Sequence, residues 1–217
     1  MTGLQPFPCV FVHGFADDST TWSRLLVQLP AVDARCWDLP GHGTRKTAAP
    51  ELMTRDAAVR ELHEHLDGIG RPAILVGHSL GGYLALMATI LRPELVSAVA
   101  LISSGPGFRR SDARESWNAY IDSIAADTGM PTAVTTLAHQ PDSFVIDNLG
   151  SVRCPLVHII GSRDHRYRAG ADHLRKVLPH SSLVEIDGAG HHPQRTHPKE
   201  VAAAIMALTA SLERSAD

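Results

Sequence analysis

A chain of 217 residues, 44% hydrophobic and 20% charged, is long enough to bury one sizeable core and too apolar for a disordered tail or a fibre. Its 20 basic and 23 acidic side chains nearly cancel, which excludes the basic excess of a nucleic-acid-binding domain. No run reaches the roughly 18 apolar residues of a membrane span, and residues 1–8 have neither the basic start nor the apolar stretch of a signal peptide.

In chain order, short aliphatic or β-branched runs at 9–12, 34–39, 73–76, 98–102, 156–160 and 183–186 read as strands buried on both faces. Segments of helical period lie at 20–29, 55–66, 80–91, 169–178 and 199–212, between and after the strands. This alternation predicts an α/β fold, a mainly parallel sheet of about six strands with helices on both faces. Residues 105–150 break the alternation. They open on Gly105-Pro106-Gly107 and carry Trp117, Tyr120, Ile121 and Ile124 at helical spacing. The expectation is a short, helical insertion over the sheet edge of a single domain spanning 1–217, because the segment is too short to bury a core of its own.

The three cysteines, Cys9, Cys36 and Cys154, are far apart, and each sits in or beside an apolar run. They read as buried free thiols of a reducing compartment, so a cytoplasmic location is expected. Thirteen histidines raise the question of metal, but His63-Glu64-His65 puts its imidazoles on different helix faces and no His-Glu-x-x-His occurs. Neither a metal nor a cofactor is expected.

The stretch Ile74-Leu75-Val76-Gly77-His78-Ser79-Leu80-Gly81-Gly82-Tyr83 runs from a buried strand into an apolar helix through Gly-x-Ser-x-Gly. A serine at such a turn adopts a strained backbone that exposes its hydroxyl, and glycines two residues either side let strand and helix approach. The hydroxyl needs a base to take its proton and a carboxylate to orient that base. His191 follows the last strand in Gly188-Ala189-Gly190-His191, and Asp164 follows the preceding strand in Gly161-Ser162-Arg163-Asp164. Asp187 is the rival acid, four residues before His191, with a local turn as its favoured role. His78 reads as a packed neighbour of the turn, His192 and His197 as surface or loop residues, and Asp17-Asp18 before Ser19 as a helix cap. Trp22 reads as packing, and Arg45-Lys46 and Arg109-Arg110 as surface charge.

With Val12-His13-Gly14-Phe15 after the first strand and Asp38-Leu39-Pro40-Gly41-His42-Gly43 after the second, these motifs resemble the α/β-hydrolase superfamily over nearly the whole chain. The resemblance implies an oxyanion hole made by the backbone amides of Phe15 and Leu80, with His13 holding that loop. It also implies a serine hydrolase that cleaves a small to medium carboxylic ester through an acyl-enzyme, with no cofactor. Only eight residues precede Cys9, so the usual N-terminal edge hairpin is expected to be reduced or missing, and the short insertion to leave a smaller, more open site. Phe108, Trp117, Tyr120 and Phe144 are candidates for an apolar acyl pocket or for the insertion's own core. The same scaffold supports a thioesterase or a cofactor-free lyase like the menaquinone-pathway member of the superfamily. It also supports a ligand-binding receptor, which an intact set of Ser79, Asp164 and His191 disfavours.

Overall fold

The computed structural model of the protein describes residues 6–216; residues 1–5, within the stretch read above as lacking a signal peptide, lie outside the described residues. Six strands, β1 (Pro8–Val12), β2 (Asp33–Trp37), β3 (Ala73–His78), β4 (Val96–Ile102), β5 (Leu156–Gly161) and β6 (Ser182–Ile186), form one sheet in the order β2-β1-β3-β4-β5-β6. Every pairing among them is parallel, and no antiparallel hairpin precedes β1 among the described residues. Parallel neighbours require crossovers, which helices such as α1 (Ser23–Leu26), α2 (Arg55–Asp67), α3 (Leu80–Leu91) and α7 (His165–Val177) supply; α8 (Pro193–Thr196) and α9 (Pro198–Ala216) follow β6.

The chain begins inside the sheet, moves outward to β2, then returns to β3 on the other side of β1. In such an order, loops leaving β1 and β3 diverge and open a crevice at the strands' C-terminal ends. Alternation along the strands divides the core. Val10, Val12, Leu75, Val99 and Leu101 face a cluster with Leu62, Leu66 and Leu84, whereas Cys9, Phe11, Ile74, Val76 and Ala100 face one with Trp22, Leu25, Val201 and Ile205. Both sides of the central strands are therefore dry, as continuous apolar runs require.

Several expectations need correction. The outer strands β2 and β6 are not buried on both faces: their residues are mostly half-buried or exposed, because each lies at a sheet edge. Cys36, on β2, is consequently exposed, while Cys9 is buried and Cys154 half-buried. The helix expected at 20–29 is a 3-10 turn, Ser19–Trp22, running into the single turn of α1, with Asp18 accepting from the Thr20 amide at 2.8 Å as its cap. Helix α7 starts at His165, earlier than its apolar period suggested, because its first turn turns toward a pocket and not into the core.

Between β4 and β5 lie α4 (Ser111–Thr128), α5 (Thr132–Thr135) and α6 (Phe144–Asn148), with no strand. The Trp117 indole N–H donates to the Ala138 carbonyl at 2.9 Å, tying α4 to the chain after α5. This segment is fastened to the core by Arg55 of α2, whose guanidinium donates to both carboxylate oxygens of Asp142 at 3.0 and 2.9 Å. No helix among the described residues is long and apolar enough to cross a membrane.

The bond from Arg55 holds the Asp142 carboxyl below its ordinary range, so this contribution to stability is present above the unfolded-state value and fades as pH falls through the folded-state one. The Asp142 side chain is 47% exposed and Arg55 keeps Asp56 as a second partner, so solvent screening limits the effect. Asp142→Asn is expected to cost about 1 kcal/mol at neutral pH and close to nothing in strong acid, read as a lower urea midpoint at unchanged slope.

Candidate active site

Four loops meet at the crevice. The first is the turn from β3 into α3. Ser79 sits at φ 50° and ψ −114°, a conformation costing a non-glycine residue on the order of 1–3 kcal/mol. Its backbone is held on both sides: Ser79 N–H donates to the Ile102 carbonyl at 2.9 Å, and its own carbonyl accepts from the Ser104 hydroxyl at 2.7 Å. A Cβ on Gly81 would lie 2.0 Å from the Val12 carbonyl oxygen, and one on Gly77 2.5 Å from that of Gly81. No larger residue fits either position without moving backbone, which is why the serine is flanked as it is.

The second loop leaves β1. The buried His13 ring donates from Nδ1 to the Gly14 carbonyl at 2.8 Å and accepts at Nε2 from the Leu39 amide at 2.9 Å, a neutral tautomer fixed at both nitrogens. His42 works in the same way: its Nδ1 donates to the Pro40 carbonyl at 3.0 Å and its Nε2 accepts from the Ala16 amide at 3.2 Å. Ala16 is held at φ 57°, so the loop turns sharply just after Phe15. Burial lowers the His13 pKa and pushes that of His42 down to about 4. Asp38 stitches the base of the loop, accepting from Ser19 N at 2.8 Å and from Thr44 N and Oγ1 at 2.9 and 2.7 Å. Burial works against its charge, but these bonds outweigh it and hold the carboxyl at about 2.

The third element is a pair of loops after β5 and β6 that run back to back. Ser162 N–H donates to the Ile186 carbonyl and Arg163 N–H to that of Ala189, both at 2.9 Å, and a Cβ on Gly161 would lie 2.3 Å from the Ala189 oxygen. This contact brings Asp164 to His191: the buried carboxylate accepts from Nδ1 at 2.9 Å. Asp187 is exposed in the turn after β6, but among the described residues its carboxylate takes a long bond from the Ser162 hydroxyl at 3.4 Å on the neighbouring loop and not the local backbone amides expected of it.

Ser79, Leu80, Phe15, Asp164 and His191 all line one chamber of about 380 Å³. The Ser79 hydroxyl, however, is paired not with His191 but with the phenol of Tyr167 at 3.1 Å, its one hydrogen-bond partner among the described residues. The Tyr167 ring stacks on His191 with centroids 4.8 Å apart and planes 18° from parallel, and burial pushes its phenol up to about 12. A second, more apolar chamber of about 220 Å³, walled by Leu80, Tyr83, Pro106, Phe108, Trp117 and Ile146, meets the first at Ser79. Trp117, Arg166 and Tyr167 border both.

Of the aromatic candidates, Phe108 and Trp117 line the apolar chamber and Tyr120 the other, but Phe144 instead faces a separate surface pocket with Arg55, His63 and Leu91. Its side chain emerges on the α2 side of the segment, which helical spacing alone does not specify. His192 lies on a loop, as read, but half-buried and not at the surface: it packs against His78 with ring centroids 4.7 Å apart and lines the larger chamber. Arg109, Arg110 and Arg45 pair with Asp147, Asp112 and Glu61 at the surface as expected. Sequence reasoning missed Tyr167 and Arg166, whose guanidinium lies 3.9 Å from the Tyr120 ring centroid. A signal was available, since a helix beginning directly after Asp164 puts its first turn beside the site. Asp17, His78 and His192 bring donor atoms within 4.8 Å of one another, the geometry of a small cation site. Arg195 already pairs with Asp17, and its charge opposes a cation there.

A model of the alpha/beta hydrolase family matches residues 9–204. Lipase LipV of Mycobacterium tuberculosis is 36% identical over 111 residues, a match that takes in 51% of this chain and 42%, under half, of that relative. The pimeloyl-acyl-carrier-protein methyl ester esterase of Xanthomonas campestris pv. campestris is 27% identical over 251 aligned positions, 94% of this chain and 95% of that protein. Among solved structures, MenH from S. aureus superposes with a TM-score of 0.85 at 19% identity, covering 97% of this chain and 96% of that one.

The buried imidazoles predict acid lability. Burial pushes His42 and His158 from an ordinary 6.5 to about 4, and His78 well below its usual range. The unfolded chain takes up protons at these rings that the folded chain refuses, so stability is full above the unfolded-state value and falls as pH drops from there toward about 4. Each ring contributes up to about 1.4 kcal/mol per pH unit in that window. Urea midpoints are expected to fall steeply between pH 7 and pH 5; a flat profile would show these rings charged inside the fold.

Proposed function

The chain belongs to the alpha/beta hydrolase family, and on that premise we propose that it is a serine hydrolase of carboxylic esters working through an acyl-enzyme. The observation that carries this reading is the 2.9 Å pair of Asp164 and His191, which lines the same chamber as a strained, half-buried serine. The esterase and lipase names of relatives support the same chemistry.

In this reading, Ser79 turns from Tyr167 toward His191 as substrate enters. Its Oγ attacks the carbonyl carbon while the imidazole Nε2 takes the hydroxyl proton, and Asp164 keeps the ring in the tautomer that leaves Nε2 free. Negative charge develops on the carbonyl oxygen, which the amides of Phe15 and Leu80 receive. Leu80 opens α3, where first-turn amides have no intrahelical carbonyl, and His13 and His42 hold the loop that aims Phe15. The tetrahedral intermediate collapses, His191 gives its proton to the departing alcohol, and water repeats the sequence on the acyl carbon. Residues 1–217 form one unit in which 105–150 serves as a short cap, with the apolar chamber taking the acyl group and the larger one the alcohol. Elimination on an anionic substrate is the second reading on the same scaffold: Arg109 and Arg110 are paired at the surface, but Arg166 borders both chambers.

Ser79→Ala is expected to abolish turnover of p-nitrophenyl esters with the fold intact by circular dichroism, and Asp164→Asn to lower kcat by on the order of 10³–10⁴. Near-normal activity of Ser79→Ala would reject the assignment. Asp187→Asn proving the more damaging of the two acid variants would move the acid to Asp187.

A further inference from the structure

Tyr167 is not needed to explain the proposed attack, yet it touches two of the groups that perform it. Its phenol is the partner of the Ser79 hydroxyl, its ring lies flat against His191, and Trp117 meets it edge-on with ring centroids 6.4 Å apart. These contacts fix the phenol oxygen at the junction of the two chambers.

Acylation changes what that oxygen meets. Once Ser79 carries an acyl group its Oγ is bonded to the acyl carbon, can no longer donate and is a poorer acceptor than a hydroxyl, so the pairing the phenol has in the free enzyme is weakened. A buried hydroxyl without a partner is costly, and the departing alcohol has just vacated the space beside it. The molecule that fills this space must also lie next to His191, because the imidazole on which Tyr167 is stacked takes the next proton. Burial keeps the phenol protonated across the working pH range, so it is a hydrogen-bonding group and not a base.

Building on the acyl-enzyme reading above, we infer that Tyr167 is a further catalytic residue, whose hydroxyl passes from Ser79 to the hydrolytic water and orients that water for deacylation. The water oxygen bonds to the acyl carbon while one of its protons passes to His191 Nε2, and the carbonyl electron pair moves onto the oxyanion. As the intermediate collapses, the bond from carbon to Ser79 Oγ breaks, His191 returns the proton to Oγ, the carboxylic acid leaves, and the phenol pairs with Ser79 again. Acylation and deacylation thus differ in their dependence on one hydroxyl, which neither Asp164 nor the amides of Phe15 and Leu80 would produce.

Tyr167→Phe keeps the ring on His191 and removes only the hydroxyl. Stopped-flow hydrolysis of p-nitrophenyl acetate separates the burst, which reports acylation, from the steady state. The burst rate constant is expected to stay within about threefold of wild type and deacylation to slow by roughly tenfold or more. kcat and KM should then fall together with kcat/KM nearly unchanged, and acetylated Ser79 should accumulate by intact mass. Unchanged deacylation, or burst and steady state slowed equally without accumulation, would overturn the inference while leaving the hydrolase reading in place. A wild-type enzyme that never acylates Ser79 would instead remove that reading itself.

Discussion

The arrangement depends on how closely α3 is pressed against β1. The gap at Gly81 is so small that a methyl group there would lie 2.0 Å from the Val12 carbonyl oxygen. This contact forces the turn between β3 and α3 to be abrupt, and abruptness puts Ser79 in a left-handed conformation that only its surroundings sustain. Because β1 and β3 are neighbours in the sheet, the same contact sets the loop after β1 opposite the serine. Gly161 plays the corresponding part on the other side of the site, where Ala189 crosses it and Asp164 thereby reaches His191.

Two imidazoles bonded at both ring nitrogens brace this frame. His13 and His42 each donate from one nitrogen and accept at the other, so each pins two backbone segments and neither is free for proton transfer. His191 differs: one nitrogen is held by Asp164, and the ring is half-buried at a chamber wall. Hydrogen bonding separates the two uses of this residue type: His13 and His42 spend both nitrogens on bracing loops, while His191 has one nitrogen on Asp164 and the other facing the chamber in the proposed reading.

The central strands and α3 were legible because their apolar runs are continuous, the pattern a sheet covered on both faces demands, and the elbow was legible because close backbone approach admits only glycine. Edge strands were read as more buried than they are, since Leu183, Val184 and Ile186 of β6 and Ala34, Cys36 and Trp37 of β2 are apolar enough to mimic the centre, and Cys36 was misplaced with them. Asp164 and His191 were found from their place after successive strands. Tyr167 was not, because it lies on the polar first turn of α7, between Arg166 and Arg168, ahead of the apolar period that marks the rest of the helix. Phe144 was drawn into the site by its aromatic character, although the turn of α6 directs it toward Arg55. Spacing shows which residues share a face, and only packing shows what that face meets.

The central claim is that Ser79, His191 and the amides of Phe15 and Leu80 act together on one carbonyl. The most direct test is a crystal structure of the protein after reaction with a dialkyl fluorophosphate, whose tetrahedral adduct mimics the acylation intermediate. The account predicts phosphorus bonded to Ser79 Oγ, its oxygen accepting from both amides, and His191 Nε2 turned toward Oγ. An adduct on any other residue, or one on Ser79 whose oxygen points away from both amides, would contradict it.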